Sequence, residues 1–509
     1  MSFESILFEK PEDRLVEKAE PPVFFADLNL DQIVEAAIKG REEYNLRPFF
    51  WSPLKRIGAI KYRHEVMQEL ERQEPARAIG AFAQRMHTVR DYLARRDRLS
   101  YQLQKERWFL DAVGVYCDAV SSLYRDLSAA DLKSQGFLAF REYLRDYVNS
   151  EPFTSLAEET QRLQTSLAAV NYCIHIKGKN FTVRRREAEV DYSAEVKKTF
   201  ERFKQGGDRD YQATFSEPAE MNDLEAVVLE AVARLHREIF QDLYDFCEKN
   251  VDFLDETIAT FDREVQFYVA YLEFINSIKA AGLKFCYPEV SDTSKEIYQT
   301  EGFDLALANK LISEGRPIVC NDFFMQGKER IFVVSGPNQG GKTTFARAFG
   351  QSHYLATLGC PVPGKEAKLF LFDKLFTHFE KEETVEEPKS RLEDDLTRVH
   401  GILNEATPRS IIIANEILTS TTLNDAVFLG KKVMESLSQL DSICVWVTFV
   451  EELVSYSDKT VSMVSMVAPE NPSLRTYKIV RRAPQGLSYA KAMAEKYGLT
   501  YESLKERIK

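Results

Sequence analysis

Up to about residue 300, apolar residues recur at the three- and four-residue spacing that is typical of helices with one buried face. Residues 63–135 contain only two glycines and a single proline. Their apolar positions follow the helical spacing at Val89, Leu93, Leu99, Leu103, Phe109 and Leu110. A second helical stretch is predicted at about residues 153–170. The pattern therefore predicts a mainly helical first part of the chain.

Residues 219–281 contain neither glycine nor proline. One face of this stretch is marked by Val228, Val232, Leu235, Ile239, Leu243 and Phe246. An unbroken helix of this length would extend on the order of 90 Å at 1.5 Å per residue, which a single globular domain rarely needs. A long arm and two helices broken near residue 250 both fit the pattern.

The segment 171–185 has a different pattern, in which apolar and polar residues alternate around Gly178. Such alternation over two short runs predicts a β-hairpin. Basic residues cluster in and just after it, at Lys177, Lys179, Arg184, Arg185 and Arg186. The cluster is either a solvated face or a tip that contacts phosphates, and both interpretations stay open at this point.

From residue 331 onwards, short β-rich runs alternate with helical stretches. The runs are residues 331–334, 410–414 and 443–447. This alternation predicts an α/β nucleotide-binding domain with a largely parallel sheet. The change of pattern puts the start of that domain near residues 295–305.

Composition narrows the class of protein. The 509 residues exceed one compact core and suit about two to four domains. The net charge of −12 argues against a protein that coats nucleic acid, although it leaves a local basic groove open. No apolar run approaches the ~20 residues of a membrane span, the N-terminus has no signal-peptide core, and the seven cysteines form no C-x-x-C pair. We therefore expect a cytoplasmic protein with reduced cysteines and no membrane partner.

The strongest chemical signal is a glycine-rich run that fits the pattern G-x-x-x-x-G-K-[ST], with an apolar strand before it and a helical pattern after it. It predicts ATP binding by Gly336, Pro337, Asn338, Gln339, Gly340, Gly341, Lys342, Thr343 and Thr344. Backbone N–H groups of such a loop surround phosphate oxygens. Lys342 would neutralise the β- and γ-phosphates, and the Thr343 hydroxyl would ligate Mg²⁺. The alternative is a glycine turn without a ligand.

A second signal is the apolar run 410–414, which ends in the polar pair Asn415 and Glu416. In P-loop ATPases the end of such a strand supplies an Asp near Mg²⁺ and a Glu that orients the attacking water. Glu416 is therefore the predicted catalytic base. Asn415 is placed near the metal with Thr343, although it brings no charge. The alternative is a core strand with an unrelated polar end.

These motifs resemble the ATPase domain of the MutS mismatch-repair family. The family has a TGPNMGGKST-like loop, and this chain has SGPNQGGKTT. Further segments that resemble the family are residues 361–364, 372–379, 390–395, 402–407, 415–425, 477–480, 488–489 and 494–498. The resemblance is weaker upstream, where residues 49–53 and 60–66 look like the start of the family's helical core domain.

The resemblance implies an architecture and its domain ranges. Residues 1–44 are an N-terminal segment, and residues 45–300 a helical core and lever domain with a clamp-like insertion near 171–215. Residues 301–509 are a P-loop (ABC-type) ATPase domain. The predicted hairpin lies where the family has its clamp. The family's N-terminal mismatch-reading domain has no room before residue 45, so we expect that device to be lacking.

The family also implies a homodimer through the ATPase domains. In the family, a threonine-rich segment of one subunit faces the γ-phosphate of the other, and Thr421 and Thr422 match it. N-capping of the next helix is the alternative role for both threonines. Ile318 matches a residue that contacts adenine, although ordinary core packing explains it as well.

Two departures from the family pattern predict slow hydrolysis. Asn415 replaces the family's Asp, and Phe449 stands where the family has a His that follows a Thr. The resemblance, with these departures, thus implies a slow, Mg²⁺-dependent ATPase that acts as an ATP-dependent DNA clamp in repair or recombination, with repair proteins as partners. The alternative is a nucleotide-switched module that binds proteins, hydrolyses ATP weakly and has no role on DNA.

Overall fold

A computed structural model describes residues 3–14, 17–178, 180–186, 221–380, 391–468 and 470–483, with the single residues 196, 499, 501 and 505. The chain forms two compact units. A helical unit contains residues 1–3, 72–132 and 138–262, and a sheet unit contains residues 4–71, 133–137 and 263–509. The domain ranges with boundaries at residues 44 and 300 stay a prediction.

The helices follow the apolar spacing of the sequence over most of the chain. In chain order they are α1 (Phe24–Asp27), α2 (Leu30–Ile38), α3 (Arg47–Trp51), α4 (Ile57–Leu70), α5 (Gln73–Arg98), α6 (Gln102–Ala129), α7 (Gln135–Val148), α8 (Glu151–Ala168), α9 (Asp223–Leu235), α10 (Arg237–Lys249), α11 (Glu256–Lys279), α12 (Leu305–Ser313), α13 (Lys342–Thr357), α14 (Arg391–Glu405) and α15 (Leu423–Leu440). Short 3-10 turns lie at Pro11–Asp13, Glu42–Tyr44 and Glu451–Leu453.

The helical unit has an aromatic core. Phe109 packs edge-on against Phe253 at 5.4 Å between ring centroids, and Phe140 stacks on Phe261 at 3.5 Å. All four rings are buried, so they join α6 to the segment between α10 and α11, and α7 to the start of α11, within this unit. The mainly helical character predicted for this part of the chain is confirmed.

Residues 219–281 do not form one long arm. Helices α9 and α10 meet at His236, whose φ and ψ of −120° and 42° are not helical. Helix α10 ends at Lys249 and α11 begins at Glu256, so the break near residue 250 is confirmed. The additional break at His236 was not predicted, because no glycine or proline marks it.

The predicted hairpin is present in the helical unit. Strands β1 (Tyr172–Lys177) and β2 (Asn180–Arg185) pair antiparallel, with Lys177 opposite Asn180 across a two-residue turn. Gly178 has a φ of +62°, which favours glycine in this turn. The Arg185 guanidinium donates to the Leu235 carbonyl at 2.6 Å. Of the basic cluster, Lys179 lies outside the described residues.

The remaining strands belong to the sheet unit. They are β3 (Phe285–Cys286), β4 (Glu289–Ser291), β5 (Ile297–Gly302), β6 (Asn321–Met325), β7 (Ile331–Ser335), β8 (Val362–Pro363), β9 (Glu366–Phe370), β10 (Leu375–Phe379), β11 (Ile411–Asn415), β12 (Ile443–Val447), β13 (Thr460–Ala468) and β14 (Asn471–Arg481). The main sheet has six strands in the order β10-β11-β12-β7-β13-β14, and a smaller sheet has the order β4-β9-β5-β6. The main sheet is parallel except for β14, which confirms the prediction of a largely parallel sheet.

Both faces of the main sheet are covered. On one face, Ile412, Cys444 and Trp446 pack with Val433 and Met434 of α15 in one buried cluster. On the other face, Phe332 contacts Phe345 and Phe349 of α13 at 6.3 and 6.0 Å between ring centroids. Fully apolar strands are expected in a parallel sheet with helices on both sides. The fold is therefore mixed α/β, with a helical N-terminal region and a sheet-containing C-terminal part.

No helix in the described ranges combines the length and apolar character that crossing a membrane requires. Ser390 and residues 484–498, which include the segments 488–489 and 494–498, lie outside the described residues.

Candidate functional site at the carboxyl edge of the main sheet

The glycine-rich run connects β7 to α13, and its backbone requires glycine at several positions. We refer to residues 336–341 as the glycine loop. Gly336 and Gly341 have φ values of +116° and +91°, in the left-handed region that side chains disfavour. A Cβ on Gly340 would lie 2.2 Å from Ser465 Oγ and 2.9 Å from the Pro337 carbonyl oxygen. The loop can therefore approach β13 closely only with glycine there.

Lys342 begins α13 and is only 4 % exposed. Its ammonium donates to the carbonyl oxygen of Gly336 at 3.0 Å and to Asn338 Oδ1 at 3.1 Å. Glu416 Oε1 lies 3.5 Å from the same nitrogen. Burial lowers the pKa of Lys342, and the nearby Glu416 carboxylate partly opposes this effect. Of these three partners only Glu416 carries a charge, so a single carboxylate lies close to the buried Lys342 ammonium.

A cavity of about 650 Å³ opens beside the glycine loop. Its lining residues that the sequence predicted are Ile318, Asn338, Gln339, Gly340, Gly341, Lys342, Thr343, Thr344 and Glu416. The volume lies within the usual range of small-molecule sites. Gly336 and Pro337 are not lining residues, although the Pro337 carbonyl oxygen lies 3.5 Å from the Lys342 ammonium. Most of the residues predicted to bind nucleotide therefore surround one cavity.

Thr343 and Asn415 also lie together. The Thr343 hydroxyl donates to Asn415 Oδ1 at 2.9 Å, across 72 residues of chain. Asn415 ends β11, next to the end of β12 in the parallel sheet. In the described part of the chain, no group of three or more His, Cys, Asp or Glu side chains is arranged to hold a metal ion. Thr343 and Asn415 offer Mg²⁺ two neutral oxygens here, whereas proteins usually hold this ion with one or two carboxylates together with substrate phosphates and water.

Glu416 follows directly after β11 and has a φ of +54°. Its backbone N–H donates to the Val447 carbonyl oxygen at 2.9 Å, so the residue is tied to the end of the neighbouring strand β12. Non-glycine residues with positive φ are uncommon and occur often at functional sites. This backbone brings the carboxylate to the cavity beside Lys342.

Thr421 and Thr422 do not line the cavity. Thr422 is the N-cap of α15 and its hydroxyl oxygen accepts from the Asp425 N–H at 3.3 Å. Both hydroxyls also donate to Asp425 Oδ2, at 3.3 Å from Thr421 and 2.8 Å from Thr422. The capping role that the sequence left open is confirmed for Thr422. A contact with a second subunit stays a prediction.

Thr448 and Phe449 follow β12 and differ in exposure. Thr448 is buried, and its hydroxyl oxygen accepts from the Val450 N–H at 3.0 Å. Phe449 is exposed and is not among the residues that line the cavity. An apolar ring at this position offers no polar atom to a ligand, as the sequence predicted.

Sequence reasoning missed several lining residues of the cavity. Leu307 and Leu311 come from α12, and Tyr477 comes from the antiparallel strand β14 with a φ of +60°. The Asn321 side chain fixes this part of β14, because its amide donates to the Tyr477 carbonyl and its oxygen accepts from the Ile479 N–H at 2.7 Å. No local pattern marks Leu307 and Leu311. Tyr477 lies in the segment 477–480 that resembles the family, but the resemblance assigned it no role at the site.

Fold and site together define an α/β protein whose glycine loop and cavity lie at the carboxyl edge of a mainly parallel sheet. Comparison with known families agrees with this class. Residues 332–506 match the family model for MutS domain V. This match confirms, over the C-terminal part of the chain, the resemblance to the MutS family that the motifs predicted.

Similar curated proteins carry the same family name. The chain is similar to a protein named DNA mismatch repair protein MutS from Chloroflexus aurantiacus, with 27 % identity over 40 % of this chain and 20 % of the relative. A relative of the same name from Clostridium botulinum is 24 % identical over 52 % of this chain and 28 % of its own length. One from Orientia tsutsugamushi is 28 % identical over 42 % and 24 %. The matched part thus spans about a quarter of each relative.

Proposed function

We propose that this protein is a MutS-like ATPase that binds ATP with Mg²⁺ in the cavity beside the glycine loop and hydrolyses it slowly. The observation that carries the proposal is the convergence of residues 338–344, Ile318 and Glu416 on one cavity of about 650 Å³. In this proposal residues 301–509 form a P-loop (ABC-type) ATPase domain, and residues 45–300 form the helical core with the clamp-like hairpin.

The glycine loop and the start of α13 supply the phosphate site in this proposal. The loop's backbone N–H groups and the helix N-terminus favour anionic oxygens. Burial lowers the pKa of Lys342, so its charge is unfavourable in the protein alone. An anionic phosphate close to the ammonium would stabilise that charge. Ile318 would pack on the apolar face of the base.

Glu416 is the proposed group that orients the attacking water. Its carboxylate lies 3.5 Å from the Lys342 ammonium and lines the same cavity. Thr343 and Asn415 would hold Mg²⁺, which supplies charge neutralisation at the phosphates. Asn415 adds no negative charge to that site, and Phe449 offers no donor to the γ-phosphate. Both features support slow turnover.

Single-turnover hydrolysis of labelled ATP by the purified protein tests this proposal. The parent should convert bound ATP to ADP, and Glu416→Ala should lower the rate constant by about 100-fold or more while ATP still binds. Asp458→Asn is a suitable control, because Asp458 meets Lys328 at 3.7 Å on the surface and does not line the cavity. Equal rates for the parent and Glu416→Ala would reject Glu416 as the base.

We extend the proposal to DNA, since the similar proteins are named for DNA mismatch repair. The hairpin β1–β2 carries basic side chains at an exposed position, which suits contact with phosphates. Replacing Lys179, Arg184, Arg185 and Arg186 with Ala should reduce the slope of log affinity against log salt by about 0.9 for each lost duplex phosphate contact. An unchanged affinity and slope in a DNA-binding parent would assign the cluster to a solvated face.

A twofold dimer through the ATPase domains completes the proposal, with Thr421 and Thr422 of one subunit facing the nucleotide of the other. Light scattering with a slowly hydrolysed ATP analogue tests it, and a monomer under saturating analogue would rule it out. The alternative of a protein-binding module without a DNA role is not favoured, because the similar proteins are named for DNA mismatch repair.

A further inference from the structure

A buried histidine paired with a half-buried aspartate lies beside the strand that leads to Glu416. His378 is in β10, the strand next to β11, and Asp395 is in α14. His378 Nε2 lies 2.9 Å from Asp395 Oδ1, and the imidazole is 1 % exposed. A carboxylate accepts only, so Nε2 carries the proton and donates to Asp395. Neither residue lines the cavity, and neither of them was predicted to have a role.

The second oxygen of Asp395 holds the turn that follows Glu416. Asp395 Oδ2 accepts the Leu418 backbone N–H at 3.2 Å. Glu416 and Leu418 have φ values of +54° and +64°, so two residues with side chains lie in the left-handed region within three positions. Backbone of this kind persists only where surrounding contacts hold it. Asp395 supplies such a contact on one side of the turn.

The other side of the turn is held by β12, where the Glu416 N–H donates to the Val447 carbonyl oxygen at 2.9 Å. The turn is therefore fixed at Glu416 by the sheet and at Leu418 by Asp395. The Asp395 carboxylate is in turn oriented by the His378 N–H, since each of its oxygens accepts one of the two hydrogen bonds. Hydrogen bonds therefore run from His378 in β10 through Asp395 to Leu418, two residues after Glu416.

From this geometry we propose that Asp395, oriented by His378, is a positioning residue that fixes the turn 416–418 and so holds the Glu416 carboxylate at the cavity. The inference rests on the proposed ATP hydrolysis. The pair touches neither the cavity nor the glycine loop, so it sets where Glu416 lies and leaves the phosphate site intact. Loss of the pair should therefore affect the rate of hydrolysis much more than the affinity for ATP.

The test compares Asp395→Asn with the parent in two assays, equilibrium ATP binding and single-turnover hydrolysis. The amide can accept from one partner, but its NH₂ group opposes the other N–H donor. We expect the rate constant to fall by about tenfold or more, with ATP affinity within about twofold of the parent. Asp394→Asn is the matched control on the same helix. No described hydrogen bond joins Asp394 to residues 415–422, and it should behave as the parent.

A second pair of variants covers the case in which Asp395→Asn does not fold. His378→Gln retains an N–H donor for Asp395, whereas His378→Leu removes it. We expect the first to hydrolyse ATP within about threefold of the parent and the second to lose about tenfold or more.

The outcomes separate this inference from the proposed function. If the parent hydrolyses ATP and Asp395→Asn or His378→Leu does so at the same rate, the positioning role is wrong and the ATPase proposal stands. If affinity and rate fall together, the pair is part of the general fold and the inference is also wrong. If the parent binds ATP but never hydrolyses it, the ATPase proposal fails and this inference fails with it.

Discussion

The two ends of the main sheet both hold basic side chains with little exposure, but they differ in how that charge is balanced. At the amino end, where β12, β7 and β13 begin, Asp441 gathers three cations. Lys295 Nζ lies 2.8 Å from its Oδ2, and Lys459 Nζ and Arg330 Nε lie 3.0 and 3.1 Å from its Oδ1. These hydrogen bonds and charges, led by Lys295 and Lys459, outweigh the effect of burial and lower the pKa of Asp441.

At the carboxyl end, Lys342 is even less exposed, and burial lowers its pKa. Its nearest carboxylate, Glu416, is 3.5 Å away and lines the same cavity. Each of the three cations at the amino end lies within 3.1 Å of the Asp441 carboxylate, whereas Lys342 at the carboxyl end has its carboxylate at 3.5 Å and borders an open cavity, where an anionic ligand would stabilise its charge. The comparison supports a structural role for the buried charge at the amino end and the proposed binding role for the buried charge at the carboxyl end.

Among the substitutions that test this contrast, we expect the one at Lys342 to have the largest effect. Lys342→Ala should weaken ATP binding by roughly 100-fold, because a charge-assisted contact with phosphate contributes about 1.5–3 kcal/mol. The protein without nucleotide should melt close to the parental temperature, since the folded state holds this charge unfavourably. Calorimetric binding and a thermal melt measure both quantities. Unchanged affinity would remove Lys342 from the binding site.

At the amino end we expect a substitution to lower stability and to leave ATP binding unchanged. Asp441→Asn should lower the free energy of unfolding by about 2 kcal/mol, less than the 3–5 kcal/mol of a fully buried pair because Asp441 is 37 % exposed. ATP affinity should not change. Asp458→Asn is the control, because Asp458 meets Lys328 only at 3.7 Å on the surface and should cost less than about 0.5 kcal/mol. A variant at Asp441 that binds ATP poorly would break the contrast.

The same carboxylate predicts a dependence of stability on pH. The pKa of Asp441 is lower in the folded than in the unfolded protein, where it is near 3.9. Its contribution is therefore fully present above that value and is lost as the pH falls towards the folded-state pKa. Urea unfolding of the parent and Asp441→Asn should show a difference that is constant near neutral pH and shrinks below about pH 4. A difference that persists unchanged in acid would contradict the account.

The parts of this site that sequence predicted depend on short stretches of chain. The residues that define the glycine-loop motif lie within ten positions of one another. The apolar run 410–414 is followed directly by Asn415 and Glu416. The parallel order of the strands follows from their alternation with helices. The hairpin could be predicted for the same reason, because its alternating apolar and polar residues and its turn at Gly178 lie in one short segment.

The rest depends on contacts that no short stretch contains. Asp441 and Lys295 are 146 positions apart, and Asp395 meets Leu418 through its backbone N–H, which carries no sequence signal. Tyr477 enters the cavity from β14, whose place at the sheet edge follows only from the complete fold. Partners that are set by strand order and helix packing could not be predicted from one sequence.

The smallest effect is expected at the two departures from the family pattern. Asn415→Asp should raise the single-turnover rate of ATP hydrolysis by roughly threefold to tenfold, or ~0.6–1.4 kcal/mol of transition-state stabilisation, because a carboxylate would fix Mg²⁺ more firmly. Phe449→His should raise it by a similar or smaller factor. Rapid-quench measurements with each variant test this. If neither change alters the rate, these two residues do not limit hydrolysis.

The central claim is that the cavity at the carboxyl end binds ATP through the glycine loop. Its most direct test is calorimetric titration of ATP with Mg²⁺ into the parent, Gly340→Ala and Gly401→Ala. A Cβ on Gly340 would lie 2.9 Å from the Pro337 carbonyl oxygen, whereas one on Gly401 meets nothing within 4 Å. The account predicts saturable binding of one ATP per chain by the parent and Gly401→Ala, and strongly weakened binding by Gly340→Ala. No saturable binding by the parent, or equal binding by Gly340→Ala, would contradict it.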